Sequence, residues 1–460
     1  MHAMDNSLIK GSPIKGIIFF SIPLFLGNIF QQIYTMSDTL IVGRAVGVNA
    51  LAAVGATGGL SFLIIGFAQG MTTGLSIVTA QDYGNGNLRG VKQSFANSIW
   101  ICAGMSIILT VISVSLARPL LQIMQTPAVL LNGAETFISI LFAGVTVTMF
   151  FNLFSNMLRA LGNSRTPLIF LIIAAVLNVV LDVVLIIGLH LGIAGAGIAT
   201  VVAQLVSCIM CIWYIKRRIP ELDVSREDMK MDRDIIKQEL KIGLPMGFQA
   251  SIIAIGSIIL QVSLNELGPQ SIAAYTAAGK VDQLATQPMV SLGITMATFT
   301  AQNFGAKNYD RILVGIRQCL TVTVIYSVII AAVIILNSHA LVNLFIGNSE
   351  PHVTQLAQTY FWVVSTSYFL LSILFVVRYA LQGLGQSFAP TMAGVAELIS
   401  RIFIGAVMVP MFGFISACFA SPLAWLASNA VLIVSFLRTI RNLRGASGLK
   451  REIPIPEKKD

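Results

Sequence analysis

Two acidic side chains stand where an apolar chain has little reason to carry them. Asp182 lies in the run LNVVLDVVLI, residues 177–186, four residues after Asn178. Asp38 lies in IYTMSDTLIVG, residues 33–43, with Tyr34 four and Gln31 seven residues before it. Helical spacing puts Gln31, Tyr34 and Asp38 on one face, and Asn178 with Asp182 on another. An ionisable group at membrane depth costs about 2.5–3.5 kcal/mol on insertion scales and normally faces a bundle interior. Asp38 is 23 residues beyond Lys15, and Asp182 is 17 beyond Arg165. At the helical rise these are about 35 and 26 Å, so both carboxyls belong in the outer half of the bilayer. Two polar faces at similar depth suggest one shared pocket. Two close carboxylates in a low-dielectric pocket cannot both stay ionised cheaply, so the pair can hold a proton. The alternative is a purely structural knot of hydrogen bonds.

The elements that must position these groups are membrane helices. The 460 residues are 56% hydrophobic and only 11% charged, against about 25% charged in soluble domains. Apolar windows long enough to cross a bilayer recur, without the alternation of a membrane β-strand. Twelve segments are predicted, near 16–43, 51–80, 92–117, 128–158, 167–189, 193–215, 241–265, 271–301, 312–337, 353–381, 390–412 and 415–437. The net charge is +9. About 25 of the Lys and Arg fall in the N-terminus, the even-numbered loops and the tail, which predicts cytoplasmic termini. That distribution marks membrane orientation and argues against nucleic acid as a partner. No cleavable signal is expected in MHAMDNSLIKGSPIK. The five cysteines all lie in apolar segments, and the Cys208–Cys211 spacing has no second ligand pair. No cofactor and no structural metal are expected.

The chain repeats itself. VGVNALAAVGATGG (46–59) lies over LGPQSIAAYTAAGK (267–280), and AQDYGNGN (80–87) over AQNFGAKN (301–308), both at an offset of 221 residues. LRALGNSRTP (158–167) matches LQGLGQSFAP (381–390), and GIAGAGIAT (192–200) matches GFISACFAS (413–421). Pro23 and Pro245 are equivalent. Six helices per half return the chain to its starting side. The expected fold is therefore an all-α membrane protein with twelve transmembrane helices in two six-helix bundles, related by a pseudo-two-fold axis along the membrane normal. The expected parts are lobes 1–215 and 241–440, a cytoplasmic linker 216–240 and a basic tail 441–460. A membrane-embedded enzyme would need converging His, Ser–His or metal-ligand sets. His2, His190, His339 and His352 all sit at loops or ends.

These residues resemble the multidrug and toxic compound extrusion (MATE) transporters along nearly the whole chain. The 6+6 plan, the paired AQ-x-x-G-x-x-N elements, the LG-x-S/T-x-x-P-type turns and IYTMSDTLIVG carry the likeness, closest to the DinF-like branch with its MepA-like pumps. The resemblance implies antiport, with an organic substrate leaving as H+ or Na+ enters. It also implies a cation site in the first half at Asp38, Tyr34, Asn178, Asp182 and Thr200, the last in GIAT. Na+ could sit among Asp38, Asn178, Asp182 and Thr200, and the choice between H+ and Na+ stays open. The NorM-like branch carries acids on segments 7 and 10. Here segment 7 offers Gln249 and Gln261, and segment 10 has no acid.

Further expectations concern the moving parts and the second half. Pro23 is a candidate hinge in the first segment, where proline removes one backbone bond and permits a kink. Glu397 and Arg401 are spaced to pair along one helix. Lys280, Asp282 and Gln283, with Gln287, form a second candidate polar network. Only Lys280 and Arg401 are counted as cations inside segments. Met149, Phe150, Asn152 and Phe154 are candidate cavity-lining residues for lipophilic drugs. The function expected is export of amphipathic, cationic organic compounds by a monomeric pump in a prokaryotic plasma membrane. The alternatives are a lipid-linked saccharide flippase and, more distantly, a membrane enzyme.

Overall fold

A computed structural model describes residues 8–346 and 351–446. His2 and the tail beyond Ala446 lie outside the described residues. The first half comprises α1 (Pro13–Ala45), α2 (Val48–Ala56), α3 (Gly58–Gly84), α4 (Leu88–Ile123), α5 (Ala128–Ala143), α6 (Val145–Ala160), α7 (Arg165–Asp182) and α8 (Gly192–Arg218). The second comprises α9 (Arg233–Asn265), α10 (Pro269–Gly305), α11 (Tyr309–Leu336), α12 (Ser338–Ile346), α13 (Pro351–Ser365), α14 (Tyr368–Gly383), α15 (Phe388–Phe403), α16 (Val409–Phe412) and α17 (Phe414–Ala446). Among the described residues, nine helices are long and apolar enough to cross a membrane. Two bent pairs, α5/α6 at 47° and α13/α14 at 46°, bring the number to eleven. The twelfth span is α10, 37 residues long. Its Thr276, Lys280, Asp282, Gln283 and Gln287 keep it out of the apolar class.

The duplication reaches the backbone. Gly47 and its mate Gly268, and Gly162 and its mate Gly385, all take positive φ at the same turns. So do Gly86 and Lys307, although lysine has a Cβ that disfavours that region. The chain leaves regular α geometry immediately after Asp182, in a π turn over Val183–Gly188. A matching π turn occupies Ile404–Met408.

Helix starts follow local chemistry. Pro13, Pro269 and Pro351 open their helices, where the missing N–H costs nothing. Asn87 caps α4 by accepting from the Gly90 N–H. The stretch predicted as linker is helical at both ends: α8 runs to Arg218, and α9 begins at Arg233, eight residues before 241. Asp232 caps α9 by accepting from the N–H groups of Asp234 (2.9 Å) and Ile235 (3.3 Å). Its own N–H donates to Asn97 of α4 at 2.9 Å.

The halves meet through α3 against α9 and α1 against α10, and the two contacts differ. Along α3, glycines bring the backbones together. A Cβ on Gly70 would lie 2.5 Å from the Met246 carbonyl oxygen, and one on Gly74 2.6 Å from the Gly243 Cα. The contact continues to Gly59 against Ile258. On the other side, Leu24, Leu292 and Met296 share a buried cluster with Ile17 and Phe20. Asn28 Nδ2 then donates to Ser291 Oγ at 3.3 Å. Beyond that bond Gln31 and Thr35 of α1 are exposed, as are Thr276, Lys280 and Gln283 of α10.

Candidate cation-coupling site

Asp38 and Asp182 come together. Asp38 stands on α1 at 8% exposure, and Asp182 is the last residue of α7 at 0%. Their carboxyl groups lie within hydrogen-bonding reach of each other. A carboxyl–carboxyl hydrogen bond requires a proton between the two oxygens. Each acid also keeps one buried oxygen, Oδ1, with no hydrogen-bond partner among the described residues.

Asn178, one turn before Asp182 and fully buried, ties the pair to α8. Oriented to satisfy its neighbours, its amide nitrogen donates to Asp182 Oδ2 and its oxygen accepts from the Thr200 N–H, both at 3.2 Å. The Thr200 hydroxyl donates to the Ala196 carbonyl at 3.1 Å and meets the Tyr34 side chain. Five of the expected residues, Tyr34, Asp38, Asn178, Asp182 and Thr200, thus form one cluster from α1, α7 and α8. The oxygens of Asp38, Asp182, Asn178 and Thr200 form a hard-donor set of the kind that takes a proton or a small hard cation. Gln31 stands apart from them, exposed on α1.

Pro23 is buried within α1 and lies fifteen residues before Asp38, on nearly the same helix face. Gly27, between them on that face, packs against α7: an added Cβ would lie 3.4 Å from the Leu171 side chain, in ordinary contact. The proline, the contact with α7 and the acid pair therefore share one side of the helix. Among the cavity candidates, Met149 is fully buried in the first-half core. Phe154 packs there between Phe95 and Phe150, with ring centroids at 6.0 and 5.8 Å. Phe150 and Asn152 are half-buried, and Asn152 donates to the Thr148 carbonyl at 2.9 Å.

The second half departs from expectation. Glu397 pairs with Arg378 of α14, not with Arg401 one turn along its own helix. Arg378 also donates to Ser428 Oγ at 2.9 Å, and the Gln249 amide, oriented to satisfy its neighbours, accepts through its oxygen from Arg378 Nε at 2.9 Å. Segment 10 therefore carries a buried cation, which the count of Lys280 and Arg401 alone missed. The i,i+4 rule gives reach along one helix, but packing of α14 on α15 supplies a second base that spacing along a single helix cannot reveal.

Lys280, Asp282 and Gln283 do not form one network. Asp282 turns inward and accepts from the Tyr368 hydroxyl at 2.7 Å, while Lys280 and Gln283 are exposed. Arg401 is buried, its stem over Gly256, where a Cβ would lie 2.8 Å from Cδ. Gly256, Arg401, Gly405 and Ser421 are the repeat mates of Tyr34, Asn178, Asp182 and Thr200. The second half thus carries a guanidinium where the first carries the acid cluster. Glu239 was also missed. Read as linker, it lies in α9, fully buried, and accepts from Ser98 Oγ at 3.0 Å.

Twelve spans in two related halves, with exposed polar residues on the facing helices α1 and α10 and a buried acid cluster in one half, define a polytopic membrane transporter. The MatE family model matches the chain twice, over residues 23–184 and 245–407. The chain belongs to the MatE family, and it is a transporter and not an enzyme. It is 28% identical over 409 residues to the probable multidrug resistance protein YoeA of Bacillus subtilis, covering 87% of each chain. It is 22% identical over 436 residues to the multidrug export protein MepA of Staphylococcus haemolyticus, covering 93% of each. Among solved structures, an outward-facing multidrug resistance MATE family transporter of the MOP superfamily superposes with a TM-score of 0.87 at 20% identity, covering 97% of this chain and 99% of that one.

Proposed function

We propose that the protein is a secondary multidrug antiporter that exports amphipathic organic cations in exchange for H+ or Na+. The observation that carries this reading is the meeting of Asp38 and Asp182, two acids from separate helices, away from lipid. In this reading the pair carries the coupling ion, and Asn178, Thr200 and Tyr34 complete its surroundings. Binding of the ion rearranges these hydrogen bonds and changes the bend of α1 at Pro23, and this movement expels cargo. The relatives named as multidrug resistance and export proteins support the substrate class. The positive charge of the even-numbered loops supports cytoplasmic termini in a prokaryotic plasma membrane. The pump acts as a monomer.

The test is ethidium efflux from reconstituted vesicles, with a pH gradient and a Na+ gradient imposed separately. Efflux should follow one of the two and be lost in Asp38→Asn and Asp182→Asn. Efflux driven by neither gradient, or undiminished in both variants, would contradict the proposal.

A further inference from the structure

The polar residues of α10 fall on one stripe. Thr276, Lys280, Gln283, Gln287 and Ser291 follow one another at spacings of four, three, four and four, which keeps them on one helix face. Ser291 fixes where that face points, because it accepts from Asn28 of α1. The exposed part of the stripe, from Gln283 outward, therefore looks into the space between the halves and away from lipid. The facing side of α1 agrees. Gln31 and Thr35 are exposed three and seven residues beyond Asn28, while the lipid-facing Phe19, Ile22, Leu26, Ile33 and Leu40 lie on the other side of the helix. From the Asn28–Ser291 bond toward the end opposite the termini, the facing polar residues of both helices are accessible.

The repeat explains the opening. In α2 and α3, the mates of Thr276, Lys280, Gln283, Gln287 and Ser291 are Gly55, Gly59, Phe62, Gly66 and Gly70, four of them glycines. At two of them, Gly59 and Gly70, an added Cβ would crowd Ile258 (3.2 Å) and the Met246 carbonyl oxygen (2.5 Å) of α9, whereas the same face of α10 carries side chains toward α1. Lys280 thus stands in a cleft of membrane depth. Neither ion pair among the described residues uses it. Asp282, two residues along, is held by Tyr368 on another face of the helix. A cation at that depth lacks a counter-charge unless water or cargo supplies one.

We propose that this wall of the cleft is a headgroup site. Lys280 takes the carboxylate of amphiphiles that carry both a cationic and an anionic group, and Gln283 and Gln287 donate to the same oxygens from their amides. The proposal rests on the efflux reading and assigns to Lys280 the distinction between zwitterionic cargo and cargo that is only cationic.

The test measures binding rather than transport, so coupling plays no part in it. Purified protein in detergent is titrated into rhodamine B, which has a free carboxylate, and into its ethyl ester, with fluorescence polarisation as the readout. Lys280→Met should weaken rhodamine B about tenfold and leave the ester unchanged, and Lys280→Arg should keep rhodamine B binding. Equal loss of both dyes in Lys280→Met, or no loss of either, overturns the headgroup site and leaves the efflux reading intact. Failure of the unaltered protein to bind either dye overturns the headgroup site and removes the amphiphilic-cation substrate class with it.

Discussion

Gln81 and Gln302 occupy the same place in the two halves, and each reaches into the other half. Gln81 Nε2 donates to the Gly383 carbonyl at 2.9 Å, and Gln302 Nε2 donates to the Ala160 carbonyl at 2.7 Å. Gly383 and Ala160 are repeat mates too. Beside the clasp, a Cβ on Gly84 would lie 1.9 Å from the Gln302 carbonyl oxygen, and one on Gly305 equally close to that of Gln81. The halves are closed at the end that carries the termini, so this contact must open for that end to admit cargo. Gly84→Ala should lower the unfolding midpoint in detergent and speed amide exchange over residues 80–86 and 301–307. Gly104→Ala, where the added Cβ meets nothing within 4 Å, should change neither. Equal behaviour of the two variants would refute the clasp.

The acid pair predicts non-additive variants. The Asp38 and Asp182 carboxyl groups lie within hydrogen-bonding reach of each other, and groups in direct contact couple. Asp38→Asn and Asp182→Asn should each abolish gradient-driven efflux while dye binding persists. The double variant should be no worse than either single one. Residual coupled efflux in one single variant would assign the ion to the other acid alone.

Pro23 predicts a defect of rate rather than of folding. Pro23→Ala restores a backbone bond within α1 and stiffens it. Efflux should slow several-fold with dye affinity and unfolding midpoint unchanged. Unaltered efflux would reduce Pro23 to a static kink.

Glu397 and Arg378 predict an asymmetric stability effect. Both side chains are nearly inaccessible, at 4% and 5% exposure. Arg378→Met leaves a buried carboxylate without its base and should cost about 3–5 kcal/mol. Adding Glu397→Met should recover most of the loss. Denaturant unfolding in detergent measures both. Arg401→Met should be milder, because Arg401 is not Glu397's partner.

Much of the acid site was legible in the sequence. Helical spacing put Tyr34 with Asp38 and Asn178 with Asp182, and both acids stood out because lipid-length segments rarely carry them. Thr200 has no such signal, since threonine is common in apolar helices; only the family likeness marked it. Arg378 escaped notice although it is as anomalous as Asp182. It lies near the end of its segment in FVVRYALQG, where a basic residue reads as an interfacial one. Glu239 was hidden by the charged company of KQELK, and only the Asp232 cap shows that the helix has already begun.

Local periodicity and composition settle what one helix can know about itself: its length, its polar face, its proline, its twin in the other half. They determined twelve helices, the duplication and the two acids. Which face of one helix meets which face of another depends on how closely the backbones approach, and that is set by side-chain volumes on both partners at once. Glycines on α3 against α9, and Lys280 and Gln283 on the matching face of α10, make the same fold tight on one side and open on the other. The pairing of Glu397 with Arg378, the separation of Lys280 from Asp282 and the cleft itself are therefore decisions of tertiary packing alone.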